Sequence, residues 1–350
     1  MANEYKTVFF ETLKARRRAL SPKIRERSRN KPKKVNWLYP HSSEVKYVRM
    51  VREQVGRVLK DIVDATVKTD LPRWIEEKAR FDSVRGDSWI DEINRLIAQL
   101  NVEMQKIFGN PEDPPEESEI WPYLVVIALG VFAFNEKQWN KTTKEFLGFG
   151  FTTDTAWWGD VRDAWASENY TLIKSLSEDY IGKINEVIYR GVRDGLSYTE
   201  IMKELQSAYG NIYGPRKDGK MSRLELLVRD QIGKLNGLIT KNRMQEAGLN
   251  LYIWQTVADE RVRGRPGGRY PKAIPSHWAI QGKICKWDDN SVYADENDRD
   301  EKGNLIWKPR TGSMPIAVPG QEILCRCSAL VYWDEVLAEI DEEIEGGAAA

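Results

Sequence analysis

The run SRLELLVRDQIGKLNGLITKNRMQEAGLNLYIWQTV, residues 222–257, changes its period part-way along and so decides the fold class. Ser222 with Glu225 three residues on is the pairing of a capping box, which satisfies free N–H groups at a helix start. It opens a predicted helix over Leu224 to Ala247 that Gly248 closes. Within it Gly233 and Gly237 sit four apart on one face and leave a notch that another backbone can approach. From Asn250 the helical spacing stops. Leu251-Tyr-Ile-Trp-Gln-Thr-Val257 alternates and is rich in aromatic and β-branched residues, which reads as a strand. A further strand is expected over Cys325 to Tyr332, amid many Gly and Pro residues. Together these features predict an α+β chain: mainly helical N-terminal and middle regions, with a smaller, turn-rich α+β C-terminal module containing a short antiparallel sheet.

Upstream, Glu168 to Arg190 places Ile173, Leu176, Tyr180, Ile184, Val187 and Ile188 on one helical face. Ser197 and Glu200 form another capping box, for a helix that Gly210 should stop. The apolar block Trp121 to Phe134 is too short to span a bilayer and reads as a buried helix. Before it, Asn110 to Ser118 is proline-rich and acidic, a connector. Val48, Val51, Val55, Val58 and Ile62 draw one stripe that Pro72 should end or bend. Ile90, Ile93, Ile97, Leu100 and Met104 draw a second, opened by Ser88 with Asp91. The expected organisation is a basic arm over 1–40, a helical hairpin over 41–109, the connector over 110–120 and a helical region over 121–248. The C-terminal module follows over 249–335, then an acidic tail over 336–350.

The 350 residues contain 53 Lys plus Arg and 53 Asp plus Glu, and 41% are hydrophobic. That is enough apolar area to bury a core, which excludes a wholly disordered chain. The balance of charge hides an asymmetry, because residues 1–50 hold fourteen basic and four acidic side chains. From Lys14 to Lys34 eleven basic residues face one acidic residue, with two prolines and little apolar periodicity. Such a segment is expected to be a solvated arm that meets phosphate through Lys14, Arg16, Arg17, Arg18, Lys23, Arg25, Arg27, Arg29, Lys31, Lys33 and Lys34. No helix-turn-helix or zinc-finger spacing accompanies it, so double-stranded DNA would be bound without regard to base sequence. At the other end Trp333 to Glu345 carries seven acidic residues and no basic one. No secretory signal is evident, and three cysteines argue against a secreted disulfide framework.

All the cysteines and one of two histidines fall late in the chain. His277, Cys285, Cys325 and Cys327 offer one nitrogen and three sulfurs, a donor set suited to tetrahedral zinc, the one cofactor these residues suggest. Against this, cysteines two apart on a strand point to opposite faces unless the chain turns, and buried, inert cysteines explain the composition as well. No phosphate-binding Gly-rich loop and no zinc-protease helix motif is present, and no catalytic residue is expected. Asp259 to Tyr270 combines two acids with four arginines, which suits either a self-pairing loop or a second contact surface for an acidic partner.

The order of Arg229-Asp-Gln-Ile-Gly-Lys-Leu-Asn-Gly237, Tyr252-Ile-Trp-Gln-Thr256, Asp259-Glu-Arg-Val-Arg263, Ser276-His277, Gln281-Gly-Lys283, Pro319-Gly320 and Cys325-Arg-Cys327 resembles the phage Mu F-like minor head proteins, or head morphogenesis proteins. The residues that match the pattern are Asp230, Gln231, Lys234, Asn236, Asp259, Arg261, Arg263, His277, Gly282, Cys325, Arg326 and Cys327. The resemblance implies a non-enzymatic minor capsid protein of a tailed phage, inside the head near the portal vertex. It implies a part in procapsid assembly and in genome packaging or ejection, with the portal, other head proteins and genomic DNA as partners and no membrane. This chain lacks a Cys-x-x-Cys that some relatives carry after the Asp-x-Arg element, where it reads Arg261-Val-Arg-Gly-Arg265. Two other readings stand beside it: a metal-dependent enzyme or toxin built on the Cys/His module, and a free nucleic-acid-binding protein that uses the arm alone.

Overall fold

The computed structural model of the chain describes residues 2–29, 37–80, 88–147, 150–152 and 155–346, and it divides into two units. One comprises His41–Leu129 and Asp160–Gln231, the other Met1–Pro40, Gly130–Gly159 and Ile232–Ala350.

The first of these units is built from helices, and its apolar stripes do the burying. Helix α3 (His41–Val51) passes through a π-helical turn, Arg52–Gly56, into α4 (Arg57–Arg80), and α5 (Ser88–Phe108) packs on α4. A π turn takes one more residue than an α turn, so the stripe downstream shifts by one position. Val51 and Val55 are buried as expected, but Leu59 and Val63 follow them in place of Val58 and Ile62. Pro72 lies inside α4 and does not end it; Leu71 and Trp74 on either side are fully buried, and that packing offsets the lost backbone hydrogen bond. On α5 the buried set is Trp89, Ile93, Leu96, Leu100, Met104, Ile107 and Phe108, so Ile90 and Ile97 stand only half-buried beside it.

The predicted face of α7 (Trp158–Arg193) is buried from Ile173 to Ile188. The capping box of Ser197 and Glu200 opens α8 (Tyr198–Ile212), which runs through Gly210 and ends two residues later. The start of α9 (Arg223–Glu246) is fixed by the second box: the Ser222 N–H donates to Glu225 Oε2 at 2.8 Å, and the Glu225 N–H to Ser222 Oγ at 3.3 Å. Helix α6 (Trp121–Leu147) differs from the expected buried block, because Tyr123, Val126 and Leu129 line an exposed face.

The second unit is centred on a five-stranded antiparallel sheet in the order β4-β3-β2-β1-β5. Its strands are β1 (Leu251–Gln255), β2 (Ile284–Lys286), β3 (Val292–Arg299), β4 (Leu305–Pro309) and β5 (Ser328–Val331). Alternation on β1 sends Tyr252 and Trp254 into one core with Cys285, Ala329 and Val331. The same core takes Phe9 and Leu13 from α1 (Ala2–Arg18) and Leu337 and Ile340 from α10 (Asp334–Gly346). Ile284, Ala294, Leu305 and Tyr332 form a smaller cluster.

The N-terminal segment therefore differs from a solvated arm. It forms α1 and α2 (Pro22–Arg29), and Phe9, Leu13 and Arg17 repeat every fourth residue to make a buried face. Arg17 meets Asp341 of α10 through two parallel bonds, Nε to Oδ1 at 2.7 Å and Nη2 to Oδ2 at 2.5 Å. Arg25 donates to Glu345 at 3.2 Å, and Lys14 pairs with Glu343. The acidic partner expected for the cations is in part the chain's own acidic C-terminal helix.

The glycine notch on α9 is occupied. A Cβ on Gly237 would lie 2.5 Å from the Pro319 carbonyl oxygen and one on Gly233 2.6 Å from that of Cys325, so only glycine lets this loop touch the helix backbone.

Candidate functional site

Two long irregular connections meet beside the sheet: residues 256–283 between β1 and β2, and residues 310–327 between β4 and β5. The first carries His277 and the second Cys325 and Cys327, and all three side chains are buried. His277 Nδ1 lies 3.3 Å from Cys327 Sγ and 3.6 Å from Cys325 Sγ, and one donor atom from each residue falls within 4.8 Å of the others. The two cysteines share a side because β5 starts only at Ser328; residues 325–327 are not strand, and the chain turns at Leu324, whose φ is 59°. A non-glycine residue there is strained by about 1–3 kcal/mol. The bend is what aims both thiols at one point.

The other ring nitrogen, His277 Nε2, is 2.7 Å from Glu322 Oε2, which also accepts from Arg263 Nη1 at 2.8 Å. Arg263 donates again, from Nη2 to the Ile323 carbonyl at 2.6 Å, and so ties the Asp-x-Arg loop to the cysteine loop. Arg326, between the cysteines, points the other way and donates to Asp259 Oδ2 at 2.6 Å, where Arg261 binds at 2.9 Å. Gly264 is required for this approach, since its φ is +76° and a Cβ would meet Ser276 Oγ at 1.8 Å. The Trp254 ring stands edge-on to His277 with centroids 5.7 Å apart.

Protonation follows from these contacts. The hydrogen bond with Cys327 draws Cys325 well below an ordinary thiol, against burial and with help from His277. Cys327 is raised correspondingly by Cys325 and by burial. Burial pulls the His277 imidazole down, but Cys325 and Glu322 together outweigh it and leave the ring above its ordinary value. Burial also raises Asp259, and the Arg261 N–H with the Arg326 guanidinium reverses that, leaving its carboxyl low.

Of the four expected zinc donors the structure brings together three. Cys285 sits on β2 paired opposite Tyr252, outside the cluster, and burial pushes its thiol up to about 11. Among the residues of the resemblance, the structure makes two sets in the sheet-containing unit, Asp259 with Arg261 and Arg326, and Arg263 with His277, Cys325 and Cys327 through Glu322, joined by the backbone of residues 325–327. Gly282, with φ +76°, turns the chain so that its N–H reaches the Trp254 carbonyl at 2.8 Å. Asn236 is buried and accepts from Asn135 at 3.1 Å. Gln231 is buried in the helical unit, bonded to Asn169 and Glu168; Asp230 precedes it, and Lys234 is half-buried on α9. Glu322 escaped the sequence reading, although its place three residues before Cys325 was a signal for a carboxylate near the thiols.

The cations of the N-terminal segment divide. Arg17 and Arg25 are buried and Lys14 is half-buried against α10, while Arg16, Arg18 and Lys23 are exposed. Arg27 and Arg29 belong to α2, with side chains outside the described residues; Lys31, Lys33 and Lys34 lie outside them altogether. The helical unit adds a cleft of about 690 Å³ with Arg49, Arg52, Arg57, Arg216, Lys220 and Arg229 on its walls. Arg52 is engaged there by Glu225 and Arg229 by Glu44.

Residues 182–330 match the family model described as phage Mu protein F like protein. The chain carries a phage Mu F-like region. That region takes in α8, α9, the sheet and the whole His277–Cys325–Cys327 cluster. Over 104 residues the chain is also 34% identical to an uncharacterized protein of Haemophilus influenzae, a stretch that covers 29% of this chain and 21% of that protein. The chain thus spans about a fifth of the length of the curated relative it matches. No solved structure matches it.

Proposed function

We propose that the chain is a minor head protein of a tailed phage. It acts inside the head near the portal vertex, in procapsid assembly and in genome packaging or ejection, with the portal and other head proteins as partners. The observation that carries this is the phage Mu F-like match over residues 182–330. The pairing of charged side chains in the region supports a structural role. Its charged motif residues Asp259 and Arg326 bind each other, and Arg263 binds Glu322, so that two ion pairs fasten two loops together. No described helix is long and apolar enough to cross a membrane.

Contact with DNA rests on Arg16, Arg18 and Lys23, which are exposed on α1 and α2, and on Lys31, Lys33 and Lys34. Binding of this kind reads phosphate and ignores base sequence. Because Phe9 and Leu13 belong to the core, truncating the segment would disturb the fold; charge reversal at Arg16, Arg18 and Lys23 is the cleaner probe. Each phosphate that the altered chain no longer neutralises should make the slope of log K against log salt shallower by about 0.9.

Mass spectrometry of gradient-purified heads tests the proposal. The chain should be present at low copy relative to the major capsid protein and should co-purify with the portal. Finding it only in the unassembled lysate fraction would refute the assignment.

A further inference from the structure

We infer that His277, Cys325 and Cys327 bind one zinc ion, which staples the two long connections together and seats the cysteine loop on α9. The inference stands on side-chain geometry and does not depend on the head assignment. Zinc bonds of about 2.0–2.1 Å to nitrogen and 2.3 Å to sulfur, at tetrahedral angles, set nitrogen and sulfur about 3.5 Å apart. The two His277 Nδ1 to Sγ separations, 3.3 and 3.6 Å, bracket that value.

The surroundings are those of a metal-bound imidazole. His277 turns Nδ1 to the thiols and Nε2 to the Glu322 carboxylate at 2.7 Å, and such a carboxylate fixes ring orientation and raises ligand basicity. The Gly320 N–H donates to Cys325 Sγ at 3.4 Å, a bond that favours the thiolate. Charge balances as well. Two thiolates, a neutral imidazole and a divalent ion sum to zero, and Glu322 is offset by Arg263 at 2.8 Å. A buried cluster of this kind needs such neutrality. Three protein donors leave the fourth position to a donor from outside the trio.

The consequence is mechanical. Cys325 supplies a ligand through its sulfur while its carbonyl oxygen rests where a Gly233 side chain would be. Pro319 and Gly320 of the same loop fill the Gly237 notch. Fixing the sulfur therefore fixes the loop on the helix, in a stretch with little regular hydrogen bonding of its own.

The test uses the full chain, expressed in zinc-supplemented medium and purified under reducing conditions. Metal analysis should find one zinc per chain, and replacement by cobalt should produce a thiolate-to-cobalt charge-transfer band. Cys325→Ser, Cys327→Ser and His277→Ala should each lose the zinc, whereas Cys285→Ser should keep it. Glu322→Gln, which leaves all three ligands in place, should weaken zinc binding about 10–100-fold. Chelation of the wild-type chain should lower its melting temperature and make two further thiols titratable. Three results would each overturn the inference: a reduced wild-type chain with neither zinc nor a cobalt band, loss of the metal on Cys285→Ser, or alkylation of Cys325 that is equally fast with and without added zinc.

Discussion

The two units are held by different physics. The helical unit buries apolar stripes set by helical spacing, such as Ile173, Leu176, Tyr180 and Ile184 on α7, and secures its helix starts with local capping boxes. The sheet-containing unit gathers three separate stretches of chain around its own apolar core and closes them with polar pairs between residues far apart in sequence. Arg17 with Asp341, Arg326 with Asp259 and His277 with Glu322 are examples. The helical unit has two such ion pairs on its cleft, Arg229 with Glu44 and Arg52 with Glu225. Apolar burial tolerates small errors of position, whereas a buried charge that loses its partner is costly. The sheet unit should therefore be the more sensitive to single polar substitutions.

Arg17→Ala is the most severe way to break that contrast. Both side chains of the pair are about 95% buried, at 6% and 5% exposure, and leaving Asp341 without it should cost about 3–5 kcal/mol in urea unfolding. Arg17→Met combined with Asp341→Leu should recover part of the loss, because an apolar pair of similar volume needs no partner charge, while the buried Arg25, 3.9 Å from Asp341, keeps only Glu345 of its two carboxylates. Gly237→Ala comes next. Its new Cβ would press on the Pro319 carbonyl, and a loss of about 1–3 kcal/mol is expected in the same assay. In the helical unit Ser222→Ala removes a cap and should cost about 1 kcal/mol. At the foot of the scale is Arg223→Ala, which breaks an exposed ion pair with Asp179 and should change stability by less than about 0.5 kcal/mol.

The same contrast explains what could be read in advance. The face of α7, both capping boxes, the α9 notch and β1 are local patterns, and each is legible within a window of one element. The shift from Val58 to Leu59 was not legible, because one π-helical turn at Arg52–Gly56 moves the stripe without leaving a mark on composition. Strand β3, Val-Tyr-Ala-Asp-Glu-Asn-Asp-Arg, is too charged for a strand signal and owes its form to β2 and β4 on either side. The fate of the N-terminal cations was hidden for a related reason. Their charge pointed to an acidic partner, but that Asp341, Glu343 and Glu345 supply part of it depends on a closure across almost the whole chain. At the candidate site His277, Cys325 and Cys327 were visible as residue types, whereas the bend at Leu324 that aligns the thiols and the pairing on β2 that keeps Cys285 outside the cluster were not.

Amide hydrogen exchange on the full chain tests most directly whether the basic N-terminal segment is a folded part of the sheet-containing unit. In the wild-type chain the α1 amides around Phe9, Leu13 and Arg17 should be protected to a degree comparable with α10, and Asp341→Ala should release both helices together. Exchange of the wild-type α1 amides at the rate of an unstructured peptide would contradict this, and would return those cations to a solvated arm.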